Sequence, residues 1–151
     1  WGENNNFQLG SDVGSDTASS ETPSRVYPPM GLEGAVDDLV VTQQTACMRL
    51  RDSGAVACWG GNGEGLLGQA SSTMPPSRTG SPLRVRLGGS APVDTFEALA
   101  QPSSRATALC AITSAGAVVC WGLNSASQLG RGNTIEPSSA AFPPGFATLL
   151  L

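Results

Sequence analysis

The sequence predicts an all-β fold built from stacked copies of one short-stranded unit, and three observations carry that expectation. One phrase occurs three times: WGENNNFQLG from Trp1 to Gly10, CMRLRDSGAVACWGGNGEGLLG from Cys47 to Gly68, and CAITSAGAVVCWGLNSASQLG from Cys110 to Gly130. Self-similarity at a period of ~60 residues marks a supersecondary unit that cannot bury its own faces and must stack on copies of itself. The two full copies place short apolar, partly β-branched segments on either side of a Gly-ended turn, which is the pattern of a hairpin. No segment has a helical period, and 19 Gly and 11 Pro are spread along the chain, as a fold of short strands and turns requires.

The phrase has a fixed interior. Trp1, Trp59 and Trp121 are each followed by Gly2, Gly60 or Gly122, then by Asn4, Asn62 or Asn124, and the phrase closes on Leu9-Gly10, Leu67-Gly68 or Leu129-Gly130. These residues read as structural. A short amide three places past Trp bonds neighbouring backbone in a tight connection, and Gly lets the chain turn where a Cβ would clash. One Trp per unit at one position reads as core between units rather than as a stacking ladder for sugars or bases.

In the last copy, Ser114-Ala115-Gly116 forms a three-residue loop that sets Thr113 opposite Ala117, Ile112 opposite Val118 and Cys110 opposite Cys120. The middle copy has one more residue between its cysteines, so a four-residue loop, Arg51-Asp52-Ser53-Gly54, sets Cys47 opposite Cys58. Directly opposed cysteines on antiparallel strands lie within disulfide reach when they occupy a non-hydrogen-bonded pair. The pairs are therefore read as Cys47 with Cys58 and Cys110 with Cys120, with two buried reduced thiols per hairpin as the alternative. Zinc is disfavoured, because the two cysteines of each pair are too far apart in sequence to be presented from one turn.

The phrase resembles the repeat of the regulator of chromosome condensation family, whose units of about fifty to sixty residues carry a WG-x-N-x-x-G-Q-L-G segment. Cys110 to Gly122 is similar to the CAL-x-x-x-G-x-V-x-CWG form of its bacterial, cysteine-containing members. The resemblance implies a β-propeller of four-stranded blades, about seven to a ring. The 151 residues would hold about two and a half blades of such a ring, a single partial propeller over 1–151 with units near 1–58, 59–120 and an incomplete 121–151. The chain is thus expected to be a fragment that packs against the remaining blades of a longer parent. Two departures stand out. The Gly ahead of Gln-Leu-Gly is Phe7 in one copy and Ser127 in another, surviving only as Gly65, and Thr42-Gln43-Gln44-Thr45 replaces the Gly-Gly-x-x-His run usual before the first cysteine.

Between the copies, Ser11 to Ser24 is polar and Ser/Thr-rich, hence a surface loop, and Arg25 to Gly34, with Pro28-Pro29, is an edge strand or turn. Val36 to Val41 is a strand. Gln69 to Ala91 reads as a loop that leads into Leu83-Arg84-Val85-Arg86-Leu87, whose strict alternation predicts a half-exposed strand. Val93-Asp94-Thr95-Phe96 answers Val36. Val36 precedes Cys47 by 11 residues and Val93 precedes Cys110 by 17, which places a six-residue insertion in Glu97 to Ala108. Arg131 to Gly145 is a shortened connector, and Phe146 to Leu151 is the opening strand of a next unit.

The chemistry the chain excludes is broad. With no His there is no Ser-His or Cys-His pair and no imidazole metal site; no enzyme, cofactor or metal is expected. Asp37, Asp38 and Glu33 read as solvated turn charges, since neighbours on a strand face opposite ways. Gly60-Gly61-Asn62-Gly63-Glu64-Gly65 lacks the Lys-Ser/Thr and helix of a phosphate loop and reads as a turn. Eight Lys and Arg against 12 Asp and Glu leave no clustered positive charge, so direct nucleic-acid binding is not expected. No apolar run reaches the ~18 residues of a membrane span. The expected function is a propeller scaffold that binds a protein partner. Paired cysteines would place it in an extracellular or cell-envelope setting. The family's nucleotide-exchange or chromatin-associated role and a lectin-like or glycan-processing propeller are the alternatives.

Overall fold

The computed structural model describes residues 2–10, 19–20, 26, 33–69, 76–86, 95–101, 103, 105–130, 132 and 134. Among them every regular element is a strand: β1 (Gly2–Glu3), β2 (Ser19–Ser20), β3 (Val36–Val41), β4 (Thr45–Leu50), β5 (Val56–Gly61), β6 (Arg78–Arg84), β7 (Phe96–Ala100), β8 (Ala108–Thr113) and β9 (Val118–Gly122). They form three antiparallel sheets, β1-β2, β3-β4-β5-β6 and β7-β8-β9. Trp1, Pro28-Pro29, Leu87, Val93-Asp94 and Phe146 to Leu151 lie outside the described residues.

Loop length and a terminal Gly set the register of both central hairpins. Leu50 donates to the carbonyl of Ala55 and Gly54 back to Leu50, both at 2.9 Å, which closes the four-residue loop and pairs Cys47 with Cys58. Thr113 donates to Ala117 and Gly116 to Thr113, both at 2.8 Å, and Cys110 pairs with Cys120. Gly54 and Gly116 have φ of 63° and 80°, the left-handed conformation such loops need at their last residue.

Three elements differ from expectation. The strand expected at Leu83 to Leu87 lies earlier, at Arg78–Arg84, and ends where the alternation begins. Its place is fixed by β5, through the pairs Gly61↔Arg78, Gly60↔Thr79, Cys58↔Leu83 and Ala57↔Arg84. Between Cys58 and Gly60 the register shifts, so Gly80, Ser81 and Pro82 bulge out opposite Trp59. Pro is tolerated there because β6 is an edge strand and the bulge needs no ladder donor. The second difference is one of phase. Val36 pairs with Leu50 and Phe96 with Thr113, so Phe96, not Val93, is the counterpart of Val36. The insertion shrinks accordingly: six residues separate Val40 from its partner Cys47 and nine separate Ala100 from Cys110, a difference of three. Finally, Ser19–Ser20, inside a stretch read as loop, pairs with Gly2–Glu3.

The core lies between the sheets. Side chains alternate along a strand, and on β4 and β5 one face carries Ala46, Met48, Ala57 and Trp59, which cluster with Val26. The other face carries Cys47, Val56 and Cys58, which join Phe96, Leu109, Ala111, Val119 and Trp121 of the third sheet. The tryptophan faces of the second and third sheets thus meet the preceding unit, and the cysteine face of the second meets the third.

Candidate functional site

The repeated phrase folds into the same object three times, a pair of successive tight turns. In the first, Phe7 donates to Asn4 and Gly10 to Phe7, both at 2.9 Å; in the second, Gly65 donates to Asn62 at 3.0 Å and Gly68 to Gly65 at 3.2 Å; in the third, Ser127 donates to Asn124 and Gly130 to Ser127, both at 3.0 Å. Each asparagine carboxamide oxygen accepts the backbone N–H of the leucine five residues on: Leu9 at 3.1 Å, Leu67 at 3.0 Å and Leu129 at 3.2 Å. Asn4 and Asn124 are buried, and at Asn124 removing the acceptor leaves the buried Leu129 N–H unpaired, a cost of about 1–3 kcal/mol.

The first two double turns are completed from the next unit. The indole N–H of Trp59 donates to the carbonyl of Gln8 at 3.0 Å, and that of Trp121 donates to the equivalent carbonyl, Leu66, at 2.9 Å. The close approach explains the glycine beside it. A Cβ on Gly68 would sit 2.8 Å from Val85 and 3.3 Å from the Trp121 indole nitrogen, at a φ of 61°. Gly60 is held more tightly still, since a Cβ there would lie 2.2 Å from the carbonyl oxygen of Gln44. The residues that replace glycine in the middle of the turn keep its conformation: Phe7 and Ser127 have φ of 62° and 59°, beside 73° at Gly65.

Cys47 is bonded to Cys58 and Cys110 to Cys120, with Cα atoms 4.0 and 4.1 Å apart, the close spacing of a non-hydrogen-bonded cross-strand pair. The first bond has no solvent exposure. In the second, Cys110 is half-buried.

The acidic residues of β3 are not solvated turn charges. Asp37 accepts a 2.6 Å ion pair from Arg49, whose other terminal nitrogen donates to the Phe96 carbonyl at 3.1 Å. Asp38 accepts the backbone N–H of Leu99 at 2.8 Å, and the Gln101 side chain donates to the Val41 carbonyl at 2.9 Å. These residues bind the second sheet to the third. Nothing in the sequence announced Arg49, Asp38 and Gln101, because each reaches across some fifty to sixty positions to a backbone atom.

Several loops gather at one end of the sheets. Arg78 donates to the Asn5 carbonyl at 2.9 Å and lies 4.8 Å over the Phe7 ring, which brings the first double turn to the start of β6. Gly61 abuts both Gln44 and Asn6. The loop after β3, the longer loop after β7 and the second and third double turns complete this end. Its exposed side chains are mainly amides and hydroxyls, among them Asn5, Gln43, Gln44 and Ser125. Among the described residues no three His, Cys, Asp or Glu side chains converge on a common point, and no helix is long and apolar enough to cross a membrane.

No family model matches the sequence. Solved structures do match the fold. Yeast RCC1 (Prp20), solved with Kap60 bound, superposes with a TM-score of 0.74 at 16% identity over 97% of this chain and 32% of that one. The fold is that of an RCC1-type propeller. Prp20p from Saccharomyces cerevisiae gives 0.72 at 17% identity over 97% and 34% of the two chains, and human WBSCR16 gives 0.67 at 23% over 95% and 33%. The chain spans about a third of the length of each. It is a partial β-propeller, whose two hairpin sheets sit as consecutive blades.

Proposed function

We propose that the chain is part of a non-catalytic propeller scaffold of the regulator of chromosome condensation type, of the bacterial, cysteine-containing form, that binds a protein partner through the loop end and works in an extracellular or cell-envelope compartment. The observation that carries this reading is the construction of consecutive blades from the same disulfide-paired hairpin, with Arg49, Asp38, Gln101 and the Trp59 and Trp121 indoles all bonded across from one blade to the next. The loop end, by contrast, offers exposed amides and hydroxyls on a rigid frame, which suits recognition of a protein surface. Yeast RCC1 was solved with a protein bound, and the Prp20p structure is described with binding to Gsp1p and histones; for this chain a protein partner is supported by analogy of fold. The pairing of both cysteine pairs at disulfide distance favours an oxidising setting.

Two measurements test the reading. Trapping of thiols in intact producing cells should find Cys47, Cys58, Cys110 and Cys120 oxidised, and free thiols there would place the protein in a reducing compartment. Cross-linking to the native partner should map to Thr42–Gln44, Gly63–Gly65, Gln101–Thr107 and Ser125–Ser127; cross-links confined to the opposite hairpins, Arg51–Gly54 and Ser114–Gly116, would refute the assignment of the binding end.

A further inference from the structure

Asn4, Asn62 and Asn124 occupy one position in three copies of a turn, yet only one of them is set up to react. Asn4 and Asn124 are 3% and 0% exposed and are followed by Asn5 and Ser125. Asn62 is half-buried and is followed by Gly63, which is exposed and has nothing within 4 Å of where a Cβ would stand. No hydrogen bond from the Gly63 amide is present among the described residues. A backbone amide next to an asparagine attacks the side-chain carbonyl to close a five-membered imide, and glycine presents no Cβ to obstruct that closure.

We propose that the Asn62–Gly63 peptide is the chain's site of spontaneous deamidation and isoaspartate formation. The Gly63 nitrogen gives its proton to water and attacks Cγ of Asn62, so that an N–Cγ bond forms. The Cγ–Nδ2 bond then breaks, and its electron pair leaves with the nitrogen, which takes up a proton and departs as ammonia. Water opens the imide at either carbonyl carbon, giving aspartate or isoaspartate at position 62. Water is the only co-reactant, and no redox change occurs. The Leu67 N–H, 3.0 Å from Oδ1, stabilises the oxyanion formed during the attack. The opposing restraint is the bond from Nδ2 to the Pro76 carbonyl at 3.1 Å, which lies at an exposed position.

The product bears on the blade interface. Aspartate would replace the Nδ2 donor with an oxygen facing the Pro76 carbonyl. Isoaspartate would add a methylene to the backbone ahead of Gly65 and shift the turn that presents the Leu66 carbonyl to Trp121. Modification at an exposed turn would therefore loosen the lock between the second and third blades.

The oxidised chain should be held in native buffer at mildly alkaline pH, reduced, cut with trypsin and mapped by mass, with isoaspartate labelled by its repair methyltransferase. Amide loss and isoaspartate should appear first in the peptide between Arg51 and Arg78 and be absent at Asn4 and Asn124. Gly63→Ala, which fits the open space around Gly63 without backbone strain, should lose the isoaspartate signal while keeping the wild-type melting temperature. The proposal is overturned if another asparagine reacts first, if Gly63→Ala leaves the signal unchanged, or if Asn62 stays intact in the native chain while the urea-unfolded chain deamidates there.

Discussion

The second and third sheets have the same hairpin, the same disulfide, the same double turn and the same tryptophan, but different surroundings. On the second, the cysteine face is covered by the third sheet, and Cys47, Val56 and Cys58 have no exposure. On the third, the corresponding face carries a half-buried Cys110 and Val118 and an Ile112 that is 43% exposed. Its position is that of Arg49, which on the second sheet is engaged with Asp37 and Phe96. The repeat therefore specifies the unit, whereas burial is conferred by whatever follows it. Four substitutions and one titration press on this difference, taken from the largest effect to the smallest.

Trp121→Ala should be the most damaging change. It empties a fully buried site and removes the bond to Leu66, a loss of about 3–5 kcal/mol. Denaturant unfolding should show the third sheet melting separately from the second, and a single unshifted transition would count against the lock.

Stepwise reduction with thiol trapping should open Cys110–Cys120 before Cys47–Cys58, because only the former has a half-exposed member. Each bond closes a loop of about a dozen residues and is worth on the order of 2–3 kcal/mol. Simultaneous opening would mean that the two sheets share one protection.

Asn124→Ala should cost about 1–3 kcal/mol by leaving the buried Leu129 N–H without its acceptor. Binding at the loop end should be unchanged, so lost affinity at an unchanged melting temperature would move the residue into a binding site. Ser127→Gly should act in the opposite direction and raise stability by about 1 kcal/mol, because it relieves a non-glycine residue at φ 59°. A lowered melting temperature would show that the hydroxyl matters more than the backbone.

Ile112→Lys should change stability least, by less than about 0.5 kcal/mol at so exposed a position. Its effect should be on association. An exposed apolar face favours self-association, so light scattering should show the wild-type chain growing with concentration and the variant remaining smaller. Equal behaviour would mean that this face does not mediate contact.

What the sequence made legible was local. Loop length and a terminal Gly determine the hairpin register, and the register opposes the cysteines; all of that lies within about a dozen neighbouring residues. The repeat supplied the stacking. The fourth strand was not legible, because Arg78–Arg84 takes its position from the edge of β5 and crosses Pro82 through a bulge. Matching Val93 to Val36 followed residue type, whereas the ladder matches Phe96. The left-handed backbone at Phe7 and Ser127 was detectable only through Gly65 at the same place in the repeat. Asp38, Arg49 and Gln101 carried no motif at all, since their partners are backbone atoms of another sheet.

The tryptophan lock runs in one direction, from each unit back to the one before, and this bears on how the chain is made. A ribosome delivers the Asn62–Gly68 turn with the Leu66 carbonyl still open, and Trp121 lies 55 residues further on. At about 5–20 residues per second the wait is roughly 3–11 s. During that interval a nascent blade has its own hydrogen bonds but not its neighbour's, so the period of the repeat is also a clock that sets how long each new blade remains available to chaperones and to premature oxidation of its cysteines.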